Sequence, residues 1–260
     1  MNATATVNAN DYVLPWLRTY LDNSIDNVRY TKSGEVDKRH CNKVAGVSSE
    51  VYAFRTDEEI NSMLSVFNNR IMFATSPTNE QIAERDKMLF VIGINIGIRA
   101  SDLCVLKWGF FFDSNLEWKD HYKFMPKKQR KAHKFVTIKF NNAVRTAVNS
   151  YLEKYPITKD DLDKYVFASR KGDGAITERG LCAIIKETAK KAGIKQNIGS
   201  HSMRKTFGYR IWNAAEDKDK ALVMLQLMFS HSDTRTTMKY IGILQDDLDD
   251  MYDSIGLGIE

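Results

Sequence analysis

HSMRKTFGYRIWNAAEDKDKALVMLQLMFSHSDTRTTMKYIGI, residues 201–243, reads as three helices of about 201–214, 218–229 and 233–240. His201 and Arg204 stand three apart, so they share one face of the first helix with Cβ atoms about 5–6 Å apart. Ser200 is expected to cap that helix. Both side chains then fall in the positively polarised first turn, which attracts phosphate. His231 falls in a turn, and the Ser232-Asp233 segment opens the third helix. Tyr240 follows nine residues after His231. Each feature has a plain structural reading as well. HxxR arises often by chance, and a tyrosine on a C-terminal helix is normally core or rim.

Upstream, Gly97-Ile98-Arg99-Ala100-Ser101-Asp102-Leu103 places Arg99 in the turn between two helices. An arginine there is usually just solvated, but Asp102 could hold its guanidinium still. The helix before it carries Met88, Leu89, Ile92 and Ile96 and is expected to end at Gly97. Its start is read as a capping box of Thr78 and Gln81, and Ser101 or Asp102 is read as starting the next helix. An earlier box, Thr56 with Glu59, precedes the helically spaced Ile60, Leu64 and Phe67.

Residues 109–139 change period. GFFFD, HYKFM and HKFVTIKF look like short strands joined by turns. Between the last two lies the cationic tip KKQRKAHK, residues 127–134. A solvated turn is the plain reading. The functional one is a lysine aimed at a phosphate or leaving oxygen, among neighbours that grip a backbone. Further helices are expected near 142–154, 177–192 and 245–253. The fold class is mainly α with a small antiparallel β-sheet (α+β). At the N-terminus, residues 1–10 are small and polar. Residues 11–30 suit a short amphipathic helix with Val13, Leu17, Tyr20, Leu21 and Ile25 on one face, and residues 31–50 read as a linker.

The 260-residue chain is 43% hydrophobic, enough for a sizeable core, and its formal charge of +5 is compatible with a polyanionic partner. Cys41, Cys104 and Cys182 have no CxxC spacing, so they read as reduced thiols and neither a disulfide framework nor a zinc site. No run is apolar enough for a membrane span, and the N-terminus does not resemble a signal peptide, so a cytoplasmic protein is expected.

Taken together, Arg99, the basic hairpin, HSMR, FSHS and KYIGI resemble the tyrosine recombinases of the phage integrase family, in order and in spacing. GIRASDLCVLKW is similar to the family's first box. HSMRKTFGYRIW with MFSHSDTRTTMKYIGI is similar to its second. The resemblance covers about residues 52–253. It implies a catalytic domain over 51–260 with a tail at 243–260, preceded by a short 1–50 segment in place of a full core-binding domain. Either the recombinase is a reduced one or the chain is shortened.

The implied chemistry cuts and rejoins DNA through a 3′-phosphotyrosyl bond to Tyr240, with no metal and no cofactor. A phenol of pKa about 10 needs help at neutral pH, and His201 is placed to take or polarise its proton. Arg99 and Arg204 clamp the non-bridging oxygens, with Asp102 supporting the Arg99 region. His231 donates to the phosphate. The leaving 5′ oxygen takes its proton from a hairpin lysine. Lys128 fits the family's Lys-Thr-x-Lys best, although Gln129 replaces the threonine and leaves Lys127 and Lys131 as alternatives. Lys127, Arg130, Lys131, Lys134 and Lys205 are expected to contact DNA. The implied partner is double-stranded DNA, with a homo-tetramer assembled on it from monomers. An accessory DNA-bending or directionality protein and a mobile-element context fit the same picture. A type IB topoisomerase-like enzyme and a non-catalytic DNA-binding regulator are the alternatives. The tail, through Leu244, Leu248, Met251 and Ile255, is read either as docked on its own domain or as packing on a neighbouring protomer.

Overall fold

The computed structural model describes residues 50–127, 135–170, 172 and 174–254, without the side chains of 245–248. The expected helix at 11–30 and the linker at 31–50 lie outside the described residues, apart from Glu50. So do Lys128, Arg130, Lys131 and Lys134. The unit Val51–Glu260 is described here by itself.

Nine α-helices and one hairpin make up the described part: α1 (Asp57–Met72), α2 (Pro77–Ile96), α3 (Ala100–Leu103), β1 (His121–Phe124), β2 (Val136–Lys139), α4 (Asn142–Lys154), α5 (Glu178–Lys191), α6 (Ser200–Ala214), α7 (Lys218–Phe229), α8 (Thr234–Ile241) and α9 (Ile243–Asp253). The mainly helical fold with a small antiparallel sheet is as expected. β1 pairs with β2 in a register that sets His121 against Lys139 and Phe124 against Val136.

Local chemistry explains most boundaries. Thr56 and Glu59 close the expected capping box on α1. α2 starts differently. Its N-cap is Ser76, whose Oγ accepts from the Asn79 N–H, and Pro77 occupies the first turn. Thr78 and Gln81 therefore lie inside the helix, because Pro77 lacks the N–H that the first turn leaves unpaired anyway. Gly97 ends α2 at φ +62°, as a left-handed cap. α3 begins at Ala100 and not at Ser101 or Asp102, with Arg99 in the cap position. α6 is capped by Gly199, not Ser200, and the Gly199 N–H donates to Ser202 Oγ at 3.1 Å. His201 is thus in the first turn, and Arg204 lies just past it.

The first expected strand does not form. GFFFD runs into a 3₁₀ turn at Trp108–Phe110. Phe110, Phe111 and Phe112 are all buried, whereas a half-buried strand would expose the middle ring. Their rings meet Trp118 and Phe140 edge-on or tilted, with centroids 4.7–5.8 Å apart.

The main core runs from α1 through α6. α2 lies at its centre, packed on α1, α4 and α6, with Phe54, Phe67, Phe90 and Leu89 fully buried. Each such side chain contributes about 1.5–3 kcal/mol of burial. A second, smaller cluster of Leu222, Leu225, Phe229, Ile241 and Ile243 joins α7 and α8. Gly208 on α6 lets that cluster close against it, since a Cβ there would stand 2.6 Å from Ile241 Cγ2 and 2.9 Å from the Phe229 ring. On α9, Ile243 is buried, but Met251 and Tyr252 are 62% and 76% exposed. No described helix is long and apolar enough to cross a membrane.

Candidate active site

Five sequence-predicted side chains come together where α3, α6, α7 and α8 meet. Arg99 stands at the start of α3, His201 and Arg204 on α6, His231 in the turn after α7, and Tyr240 near the end of α8. The organising atom is one that the sequence does not advertise, the backbone oxygen of Phe229. Arg99 Nη2 donates to it at 3.2 Å and Arg204 Nη2 at 3.1 Å. Helix C-termini carry partial negative charge on such carbonyls, so two cations converge there favourably. Arg204 also donates through Nη1 to the Gly97 carbonyl and lies over the Phe229 ring, 4.2 Å from its centroid. It is buried, 5% exposed. Burial pushes its guanidinium down to about 10, opposed by the Tyr240 phenol and Asp102 and reinforced by Arg99. It stays charged near neutral pH.

The phenol is half-buried. Its oxygen is 3.4 Å from His201 Nδ1, a long contact, while His201 itself is exposed. Burial raises the Tyr240 pKa above its usual range, and the Arg204 and Arg99 charges pull it back. The phenol is therefore protonated at neutral pH and needs an acceptor for its proton. His231 meets Tyr240 edge to face, with ring centroids 5.1 Å apart. Its imidazole pKa is lowered, first by burial and then by Arg204 and Arg99, while Asp233 pulls the other way.

Asp102 does not bridge Arg99. Its Oδ1 accepts the Lys127 N–H at 3.0 Å, tying the base of the hairpin tip to α3, and its Oδ2 is buried without a hydrogen-bond partner. The Lys127 side chain is exposed. Arg99, Asp102 and Arg204 line one cavity of about 290 Å³ together with Phe124 and Val136 of the hairpin. Lys205 departs from expectation. It is buried, 6% exposed, with its ammonium 5.4 Å from the Tyr240 ring centroid. It packs on the Tyr240 ring and does not present an open surface charge. Among the described residues, no group of three or more His, Cys, Asp or Glu side chains is arranged to hold a metal ion.

Sequence reasoning missed three contributors. The Phe229 carbonyl has no side-chain signal. Ser230 adopts a left-handed φ of +55°, the cap that turns the carbonyl toward the arginines. Thr237, fully buried, hydrogen-bonds His231. Only Thr237 had a readable hint, a polar residue on the inward face of α8.

Fold and site together define a tyrosine recombinase. A sequence profile of the phage integrase family matches residues 55–246, and the chain belongs to that family. It is 31% identical over 164 residues to the probable integrase/recombinase YoeC of Bacillus subtilis (strain 168), across 63% of this chain and 80% of that protein. It is 27% identical over 203 residues to the tyrosine recombinase XerC of Bacillus pumilus (strain SAFR-032), across 76% of this chain but 62% of XerC. The crystal structure of XerA recombinase shares the fold with a TM-score of 0.53 at 18% identity, over 82% of this chain and 68% of that one.

Proposed function

We propose that residues 51–260 are the catalytic domain of a site-specific DNA recombinase, an integrase that cleaves and rejoins DNA without a metal through a 3′-phosphotyrosyl bond to Tyr240. The observation that carries this reading is the convergence of Arg99 and Arg204 on one oxygen beside the Tyr240 phenol. A phosphodiester entering there meets two guanidinium forks, which suit its non-bridging oxygens better than point charges do. Tyr240 attacks phosphorus, its proton passes toward His201, and the 5′ oxygen leaves, protonated by a hairpin lysine for which Lys128 is the first choice. The second 5′ hydroxyl then reverses the step on the exchanged strand. Positive charge from the arginines does the work that a metal does elsewhere. The partner is double-stranded DNA, gripped in part by the 127–134 tip. Assembly is a homo-tetramer on DNA, and the biological outcome is integration or excision of a mobile element in the cytoplasm.

The test is a nicked duplex built from sequence flanking the protein's own gene, incubated in EDTA. The nick lets the short 5′-hydroxyl fragment diffuse away and traps any adduct. An SDS-resistant protein–DNA band that is lost in Tyr240→Phe is expected. DNA binding without a band, or a band that persists in Tyr240→Phe, overturns the proposal.

A further inference from the structure

His231 can donate a hydrogen bond to a phosphate only from a nitrogen that carries a proton. Which nitrogen does so is set by its neighbour on the protein side. His231 Nδ1 lies 3.1 Å from Thr237 Oγ1. That hydroxyl lies 3.3 Å from the Asp233 carbonyl, one turn back on α8, and is placed to donate its single hydrogen there. With that hydrogen committed, the Thr237 oxygen is left to accept, so the partner at 3.1 Å is an Nδ1–H. The hydroxyl is fully buried.

We propose that Thr237 is a positioning residue that fixes neutral His231 as the Nδ1–H tautomer, leaving Nε2 as the nitrogen at which the ring gains and loses its proton. The consequence for chemistry rests on the recombinase reading above. Before DNA arrives, Nε2 is an acceptor and offers nothing to a phosphate oxygen. Once protonated, the same atom becomes a donor, and neither ring flip nor tautomer exchange is needed. The charged groups around the ring are Arg99 at the start of α3, Arg204 on α6, Asp233 at the head of α8 and the Tyr240 phenol. The two arginines oppose protonation while the site is empty. A phosphate between them offsets their charge, so the donor form appears when substrate is bound. His231 thus becomes a hydrogen-bond donor in response to the substrate.

Long-range ¹H–¹⁵N correlation spectra of the whole chain, recorded above the pH at which His231 titrates, test this directly. The expected wild-type pattern is a protonated Nδ1 and a bare Nε2. A wild-type ring with its proton on Nε2 overturns the proposal with no variant needed. In Thr237→Val the pattern should move to the other tautomer or to a mixture, with the other four histidines unchanged. In Thr237→Ser it should return. A valine variant with the wild-type His231 pattern also overturns it. On the nicked duplex, Thr237→Val should form adduct about tenfold more slowly, the size of one lost hydrogen bond. The alkaline limb of its rate profile, where His231 loses its proton, should lie at lower pH, because the imidazolium has lost an acceptor. Thr237→Ser should restore both. An adduct that survives Tyr240→Phe would instead sink the recombinase reading and leave the tautomer result standing.

Discussion

The two hydrophobic clusters of this domain do different work. The large one, built on α2 and rich in aromatic rings, positions Arg99 and the hairpin. The small one, Leu222, Leu225, Phe229, Ile241 and Ile243, carries His231 and Tyr240. Arg204 is the seam between them, bound to the Gly97 carbonyl on one side and the Phe229 carbonyl on the other. A strap from the N-terminal side helps hold the small cluster, since Arg55 Nη2 donates to the Gly242 carbonyl at 3.1 Å. The half that carries Arg99 thus rests on a deep core and the half that carries Tyr240 on a shallow one. The difference teaches that perturbations of equal chemical size should divide into those that unfold the domain and those that mainly misplace the phenol.

The widest contrast comes from emptying the large core. Phe90→Ala should cost about 3–5 kcal/mol in urea unfolding, while the molecules that remain folded keep their adduct rate. A rate loss beyond the folded fraction would break the division. Arg204→Ala should slow adduct formation on the nicked duplex by about 10²–10³, and Arg99 should then contact Phe229 alone. An effect below tenfold would mean that the seam is structural only.

Two glycines sharpen the comparison further. Gly208→Ala forces a Cβ against the Phe229 ring and Ile241, which cannot yield easily, and should cost about 1–3 kcal/mol together with activity. Gly93→Ala, inside the larger core, meets the flexible end of Met203 and should cost less in thermal unfolding. The reverse order would refute the account. Smallest is the pH effect of His231. Its folded pKa lies below the ordinary 6.5, so the unfolded chain binds more protons as pH falls through that value. Stability should therefore be fully present above about pH 6.5 and decline below it, by an amount that shrinks in His231→Gln. Ser230→Gly should be neutral or mildly stabilising, by under about 1 kcal/mol, because it relieves a left-handed serine.

Much of this was legible in the chain. The Thr56–Glu59 box and the Gly97 stop depend on neighbours a few residues away, and sequence spacing records those. Arg99, His201, Arg204, His231 and Tyr240 could be named from motif order before any coordinate was known. What misled was also local. Three consecutive phenylalanines suggested a strand, but the chain turns through a 3₁₀ segment at Trp108–Phe110 and buries all three rings. Thr78 imitated a cap already supplied by Ser76. Asp102 was read as a partner for Arg99 because it is close in sequence, yet it binds the Lys127 N–H, a residue 25 positions on. Lys205 looked like a DNA contact because its charge is visible, whereas its burial is not.

The sequence by itself determined the residue types that meet at the site and the helices that carry them, because side-chain identity and short-range capping are written one residue at a time. Only the tertiary structure decided that a backbone carbonyl holds both arginines, that a buried threonine hydroxyl sits on one nitrogen of His231, and that Lys205 packs on the Tyr240 ring. Backbone oxygens are the same at every position, and contacts between α3, α6, α7 and α8 depend on how distant helices pack, which no local spacing encodes.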